Sequence, residues 1–129
     1  MGPARPVTVL AVDDQEIFRR VARGLIAATP GFEQVGEAAS GPEALALAAE
    51  LRPDLMLIDV RMPGMDGIET ARRLAEADHR VIVVLTSIED LPALPSSVTS
   101  VKADAYLRKQ DLTTQALREI WNTHGNPTG

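Results

Sequence analysis

"DLMLIDVRMPGMDGIETARRL", residues 54–74, changes character twice. Leu55 to Ile58 is a continuous apolar run, the pattern of a strand covered on both faces. Asp59 stands at its end, and the Pro63-Gly64 pair then breaks the pattern. From Gly67 onward Ile68, Ala71 and Leu74 or Ala75 recur at helical spacing. A doubly covered strand followed by a helix is the unit from which parallel α/β sheets are built.

The same unit repeats on either side. "VTVLAV" (7–12) is a β-branched run, and the segment after it carries Phe18, Val21, Ala22, Leu25 and Ile26 on one predicted helical face. "FEQVGEA" (32–38) is a more polar strand suited to a sheet edge, followed by the Ala-rich helix "GPEALALAAEL" with Pro42 in its first turn. "RVIVVLT" (80–86) is a fourth, buried strand. Next comes "SIEDLPALPSSVTSV" (87–101), where Pro92 and Pro95 cannot both sit comfortably in one helix, so any helix there is short. "DAYLRK" (104–109) is a short fifth strand. Asp111 is the expected N-cap of a last helix that turns Leu112, Ala116, Ile120 and Trp121 toward the sheet. Five strands with helix-length connections predict a three-layer α/β domain with a parallel sheet over residues 7–123, flanked by tails at 1–6 and 124–129.

Composition narrows what such a domain does. The chain has 129 residues, 45% hydrophobic and 24% charged, which suits one globular domain. A net charge of -5 and only four dispersed aromatic rings argue against gripping nucleic acid through phosphates or stacked bases. With no cysteine, disulfides and thiolate metal sites are excluded. The apolar runs are far shorter than a membrane span and the N-terminus lacks a signal-peptide core, so a cytoplasmic protein without a membrane partner is expected. Arg19, Arg20, Arg23, Arg72 and Arg73 are expected on solvated helix faces, and His79 and His124 at the surface without metal-spaced partners.

Open parallel sheets bind ligands beyond the carboxyl ends of their strands. There the first strand ends in Asp13 and Asp14, the third in Asp59, the fourth in Thr86 and the fifth in Lys109. Singly, each has an ordinary role as cap, strand residue or solvated charge. Together they place acids, a hydroxyl and a lysine at one sheet edge. Three acids at roughly 4–6 Å repel by several kcal/mol at an effective dielectric of about 20, so a compensating cation is expected. An all-oxygen donor set suits Mg²⁺, which keeps waters and bridges to phosphate oxygens. A carboxylate at such a site can attack phosphorus while the metal and a lysine offset charge on the equatorial oxygens.

"VDDQE", "DVRMPGMDGIETARRL", "VLTS" and "AYLRK", in this order and spacing, resemble the response-regulator receiver domains of two-component signalling. The similarity runs from Val7 to Trp121 and is greatest to receivers of the NarL/LuxR-type class. It implies a flavodoxin-like doubly wound five-stranded parallel sheet, order 2-1-3-4-5, here with a shortened or irregular fourth helix. It further implies that Asp59 is the phosphoacceptor for a sensor histidine kinase. Asp14, Asp59 and the backbone carbonyl of Arg61 would bind Mg²⁺, with Asp13 assisting through water. Thr86, the Ser87 backbone N–H and Lys109 would hold the phosphoryl oxygens, and Thr86 with Tyr106 would form the switch. Arg61 and Ile88, flanking the site, would tune decay of the signal. Such a domain turns over no metabolite and catalyses only its own phosphorylation and dephosphorylation. Homodimer formation and control of transcription are expected, with DNA reached only through an output domain.

Only eight residues follow Trp121, so a stand-alone receiver and the input half of a longer regulator are both compatible readings. Two other functions compete. The altered 91–101 segment suggests a phosphorylation-independent interaction module. A Mg²⁺-dependent phosphohydrolase is the third reading, weakened by the lack of a substrate-capping domain and of a further acid beside Asp59.

Overall fold

The computed structural model describes residues 5–77, 80–89 and 103–125. Its strands are β1 (Val7–Val12), β2 (Phe32–Ala38), β3 (Leu55–Asp59), β4 (Ile82–Ser87) and β5 (Ala105–Arg108). Four α-helices accompany them among the described residues: α1 (Glu16–Ala27), α2 (Gly41–Leu51), α3 (Gly67–Glu76) and α4 (Thr114–Ile120). The strands form one parallel sheet in the order β2-β1-β3-β4-β5, as the resemblance implied. The expected irregular helix over 91–101 lies outside the described residues.

Alternation along each strand divides the core in two. Leu10, Val12, Met56, Ile58, Val83 and Leu85 point to one face, where Ala44 and Ala48 of α2 and Ala71 and Leu74 of α3 cover them. Val9, Ala11, Leu55, Leu57 and Val84 point to the other, covered by Ala22 and Ile26 of α1 and Leu117 of α4. All five residues of β3 are buried, as the continuous run of apolar residues requires of a central strand. β2 is an edge strand in which only Ala38 is fully buried, which explains its polar composition. Among the described residues, no helix is long and apolar enough to cross a membrane.

Several boundaries and faces differ from expectation. On α1, Ala22 and Ile26 are buried while Val21 is 57% exposed. Val21 sits at the border of the apolar stripe, so centring Ala22 and Ile26 on the sheet turns it outward. On α3, Leu74 rather than Ala75 is the inward residue. β4 begins two residues later than predicted and carries Ser87. β5 stops at Arg108, and Lys109 opens a short 3-10 turn (Lys109–Asp111).

The last helix starts later too. Thr113, not Asp111, is its N-cap, with Oγ1 accepting from the Ala116 N–H at 3.0 Å, while the Asp111 carboxylate is held by Arg108 at 2.8 Å. Leu117, absent from the predicted stripe, is fully buried, while Leu112 and Ile120 pack beside it. Thr113→Ala is therefore expected to cost about 1 kcal/mol in urea unfolding. Asp111→Ala should stay within about 0.5 kcal/mol, because its pair with Arg108 is exposed. The reverse ranking would return the cap to Asp111.

Candidate functional site

Strand register assembles the site. β1 pairs with β3 so that Val12 opposes Ile58, which brings Asp13, one residue on, beside Asp59. β3 pairs with β4 so that Asp59 opposes Thr86, and β4 pairs with β5 so that Ser87 opposes Arg108. The chain leaves β5 at Lys109, at the same end of the sheet. Because β1 leads to β2 on one side while β3 continues toward β4 on the other, this end is the switch point where parallel α/β sheets open a crevice.

Carboxylate oxygens of Asp13, Asp14 and Asp59 lie within 4.8 Å of one another. Asp13 and Asp59 are buried and Asp14 is exposed. The donor set is all oxygen, and its crowded negative charge makes it one that could hold a metal ion. Burial, reinforced by the neighbouring charge of Asp13, pushes the Asp59 carboxyl up to about 6, against the opposing pull of Lys109 and the Arg61 N–H. That N–H donates to Asp59 Oδ1 across a long 3.4 Å. The Lys109 ammonium sits 2.7 Å from Asp13 Oδ2 and 3.6 Å from Asp59 Oδ2, with its side chain only 10% exposed. Thr86 and Ser87 are buried at the end of β4.

The turn carrying the acids is braced from both ends. Asp13 Oδ1 accepts the Gln15 N–H at 3.0 Å, and Arg19 Nη1 donates to the Asp13 carbonyl at 2.8 Å. Arg19 also lies 3.5 Å from Glu37 on β2 and is mostly buried, so unlike Arg20, Arg23, Arg72 and Arg73 it does not belong to a solvated face. Glu37 accepts from Arg23 and from Gln34, and the Arg23 hydrogen bond holds its carboxyl below the ordinary carboxylate range.

The loop after β3 closes the other side. Gly64 adopts φ +74°, a left-handed conformation that glycine takes without penalty, and Asp66 caps α3 by accepting from the Glu69 N–H at 2.8 Å. Arg61 forms an ion pair with Glu89, bridging the loops that follow β3 and β4. The Tyr106 hydroxyl donates to the Glu89 carbonyl at 2.8 Å. Ile88 is 65% exposed beside this bridge.

Asp13, Asp14, Asp59, Arg61, Thr86, Ser87 and Lys109 thus fall at one end of the sheet, while Tyr106 sits within β5 and reaches the loop after β4 through its hydroxyl. Glu89, Arg19 and Phe18 were missed. Phe18 carried a usable signal: one turn into the helix after Asp14, an inward-leaning aromatic reaches back over the helix start. Glu89 carried none, since its partners Arg61 and Tyr106 are distant in the chain.

The chain matches the family model described as "Response regulator receiver domain" over residues 9–121. It is 38% identical over 111 residues to the nitrate/nitrite response regulator protein NarL of Escherichia coli K12, covering 84% of this chain and 50% of that one. To the response regulator GacA of Pseudomonas aeruginosa it is 32% identical over 118 residues, covering 89% of this chain and 55% of that protein. The chain therefore spans about half the length of the curated relatives it matches. Among solved structures, the signal receiver domain of a NarL response regulator from Mycobacterium tuberculosis aligns with a TM-score of 0.85 at 30% identity, covering 95% of this chain and all of that one. Sequence, topology and strand-end acids agree: the chain belongs to the response regulator receiver domain family.

Proposed function

We propose that this receiver is switched by phosphorylation of Asp59. The observation that supports the reading best is the convergence of Asp59 with two further acids, Lys109 and Thr86 on adjoining strand ends. An ionised Asp59 oxygen attacks the phosphorus of a phosphohistidine on a sensor kinase. A P–O bond forms, the P–N bond breaks, and the imidazole keeps the electron pair and takes up a proton. With its carboxyl pushed up only to about 6, Asp59 is largely ionised at pH 7.5.

The crowded carboxylate oxygens of Asp13, Asp14 and Asp59 fit Mg²⁺, and these residues would hold it together with the Arg61 backbone carbonyl. When bound, the metal offsets charge on the transferring phosphoryl group. Lys109 supplies a second positive charge, and the Thr86 hydroxyl and Ser87 N–H donate to phosphoryl oxygens. The product carries close to two added negative charges, so Thr86 and Lys109 gain a partner and are drawn toward Asp59. Tyr106, tied to Glu89 after β4, is the side chain that carries this movement toward the surface.

A relative named as the transcriptional regulatory protein LiaR, 38% identical and about half covered by this chain, supports control of transcription through a separate domain of a longer protein, with residues 7–123 as the input domain. On this reading the receiver works in the cytoplasm and pairs as a homodimer when phosphorylated. Incubation with Mg²⁺ and acetyl phosphate should add one phosphoryl group by intact-mass analysis, and a cognate kinase should do so faster. Asp59→Asn should add none, and Lys109→Met should slow uptake by about a hundredfold. No uptake at Asp59 from either donor refutes the reading.

A further inference from the structure

We infer that Phe18 is a positioning residue for Lys109: its ring face seats the ammonium where it reaches Asp59. The inference rests on the phosphoacceptor reading above and adds a residue to it. Lys109 Nζ stands 3.6 Å from the centroid of the Phe18 ring.

Three features make this contact more than incidental packing. First, Phe18 is half-buried in α1, and among the described residues it is not one of those packed on either apolar cluster. Its ring face meets the Lys109 ammonium. Second, Lys109 needs a seat. It follows β5, a four-residue edge strand that is only half-buried along its length, and its charge sits at the end of a flexible stem. Third, Asp13 is the nearer carboxylate, at 2.7 Å against 3.6 Å for Asp59, and by itself would draw the cation away from the phosphorylation site.

An aromatic face answers this competition in a way a third carboxylate would not. It attracts the cation through the ring quadrupole and needs no particular N–H vector, so the three N–H donors stay available for Asp13, Asp59 and an incoming phosphoryl oxygen. It also adds no negative charge to a site that already gathers three carboxylates. Ala22, Leu57 and Leu112 line the same small cavity as Phe18 and Lys109, with Asp13, Arg19 and Thr86 on its polar side, so the ring gives the ammonium an apolar wall opposite its charged partners.

A double-substitution cycle tests the seat. Phe18→Leu should slow phosphoryl uptake from acetyl phosphate about five- to tenfold, and Phe18→Tyr should restore most of the rate. In a Lys109→Met background, Phe18→Leu should change the already slow rate no further. Acetyl phosphate keeps kinase docking out of the measurement. In parallel, the Lys109 ε-methylene protons should resonate upfield from the Phe18 ring current, and the shift should vanish in Phe18→Leu. The Tm loss caused by Phe18→Leu should be about 3 °C larger with lysine at 109 than with methionine. Equal rate and Tm losses in both backgrounds, or no ring-current shift in the wild type, overturn the proposal. If the wild type takes up no phosphoryl group, the phosphoacceptor reading fails while the NMR and Tm cycle still decides whether Phe18 seats Lys109.

Discussion

Without metal at pH 7.5, Asp59→Asn should be more stable than the wild type, by up to about 3 kcal/mol. The Asp59 carboxyl is pushed from 3.8 to about 6, chiefly because it is buried and next because Asp13 repels its charge. A folded-state pKa above the unfolded one means that the folded chain binds the proton more tightly between those two values. Stability therefore falls as pH rises from about 4 to 6, and the full penalty is present above that range. Asparagine keeps the shape and removes the charge, so the variant should lose that portion of the pH dependence. Lys109 retains its closer partner, Asp13. Mg²⁺ should act in the opposite sense, raising the Tm of the wild type toward that of the variant and leaving the variant nearly unchanged. Urea unfolding from pH 4 to 8, with and without Mg²⁺, measures all of this. A variant less stable than the wild type at pH 7.5 in EDTA would show that burial of this charge is not a net cost.

The second large effect is expected from a single methyl group. Gly67→Ala should lose about 3 kcal/mol. A Cβ at Gly67 would overlap the Asp59 carbonyl oxygen and lie 2.8 Å from its carbon and 2.9 Å from Val60 Cα. These are backbone atoms at the end of a fully buried strand, and the Gly67 N–H donates to the Val60 carbonyl at 2.9 Å. The start of α3 has to retreat or Asp59 has to move, so phosphoryl uptake should fall as well. Gly24→Ala is the matched control. That position in α1 has open space around its Cβ, and alanine there should add about 0.5–1 kcal/mol. Wild-type stability for Gly67→Ala would disprove the close approach of α3 to the Asp59 backbone.

Much of the fold could be read before any coordinates. The apolar run before Asp59 meant a central strand, and the polar residues of "FEQVGEA" meant an edge. Both follow from which faces a strand can leave in water. Helix faces were less legible. Val21 and Ala22 are neighbours on one apolar arc, and only the angle at which α1 meets the sheet exposes the first and buries the second. In α4 the cap is Thr113 rather than Asp111, and packing against the sheet puts Leu117 at the centre of the buried face. Asp111 instead closes the short 3-10 turn after β5 and pairs with Arg108, so the helix starts only beyond it.

Sequence alone determined that Asp13, Asp14, Asp59, Thr86 and Lys109 sit at strand ends, because hydrophobic periodicity marks where each strand stops and parallel strands all stop on one side. Tertiary structure decided what those groups experience. The raised Asp59 carboxyl, the preference of Lys109 for Asp13, its seat on Phe18 and the bridge from Arg61 to Glu89 depend on distances between residues far apart in the chain. Coulombic and desolvation energies vary with separation and burial, and neither quantity exists until the sheet has closed.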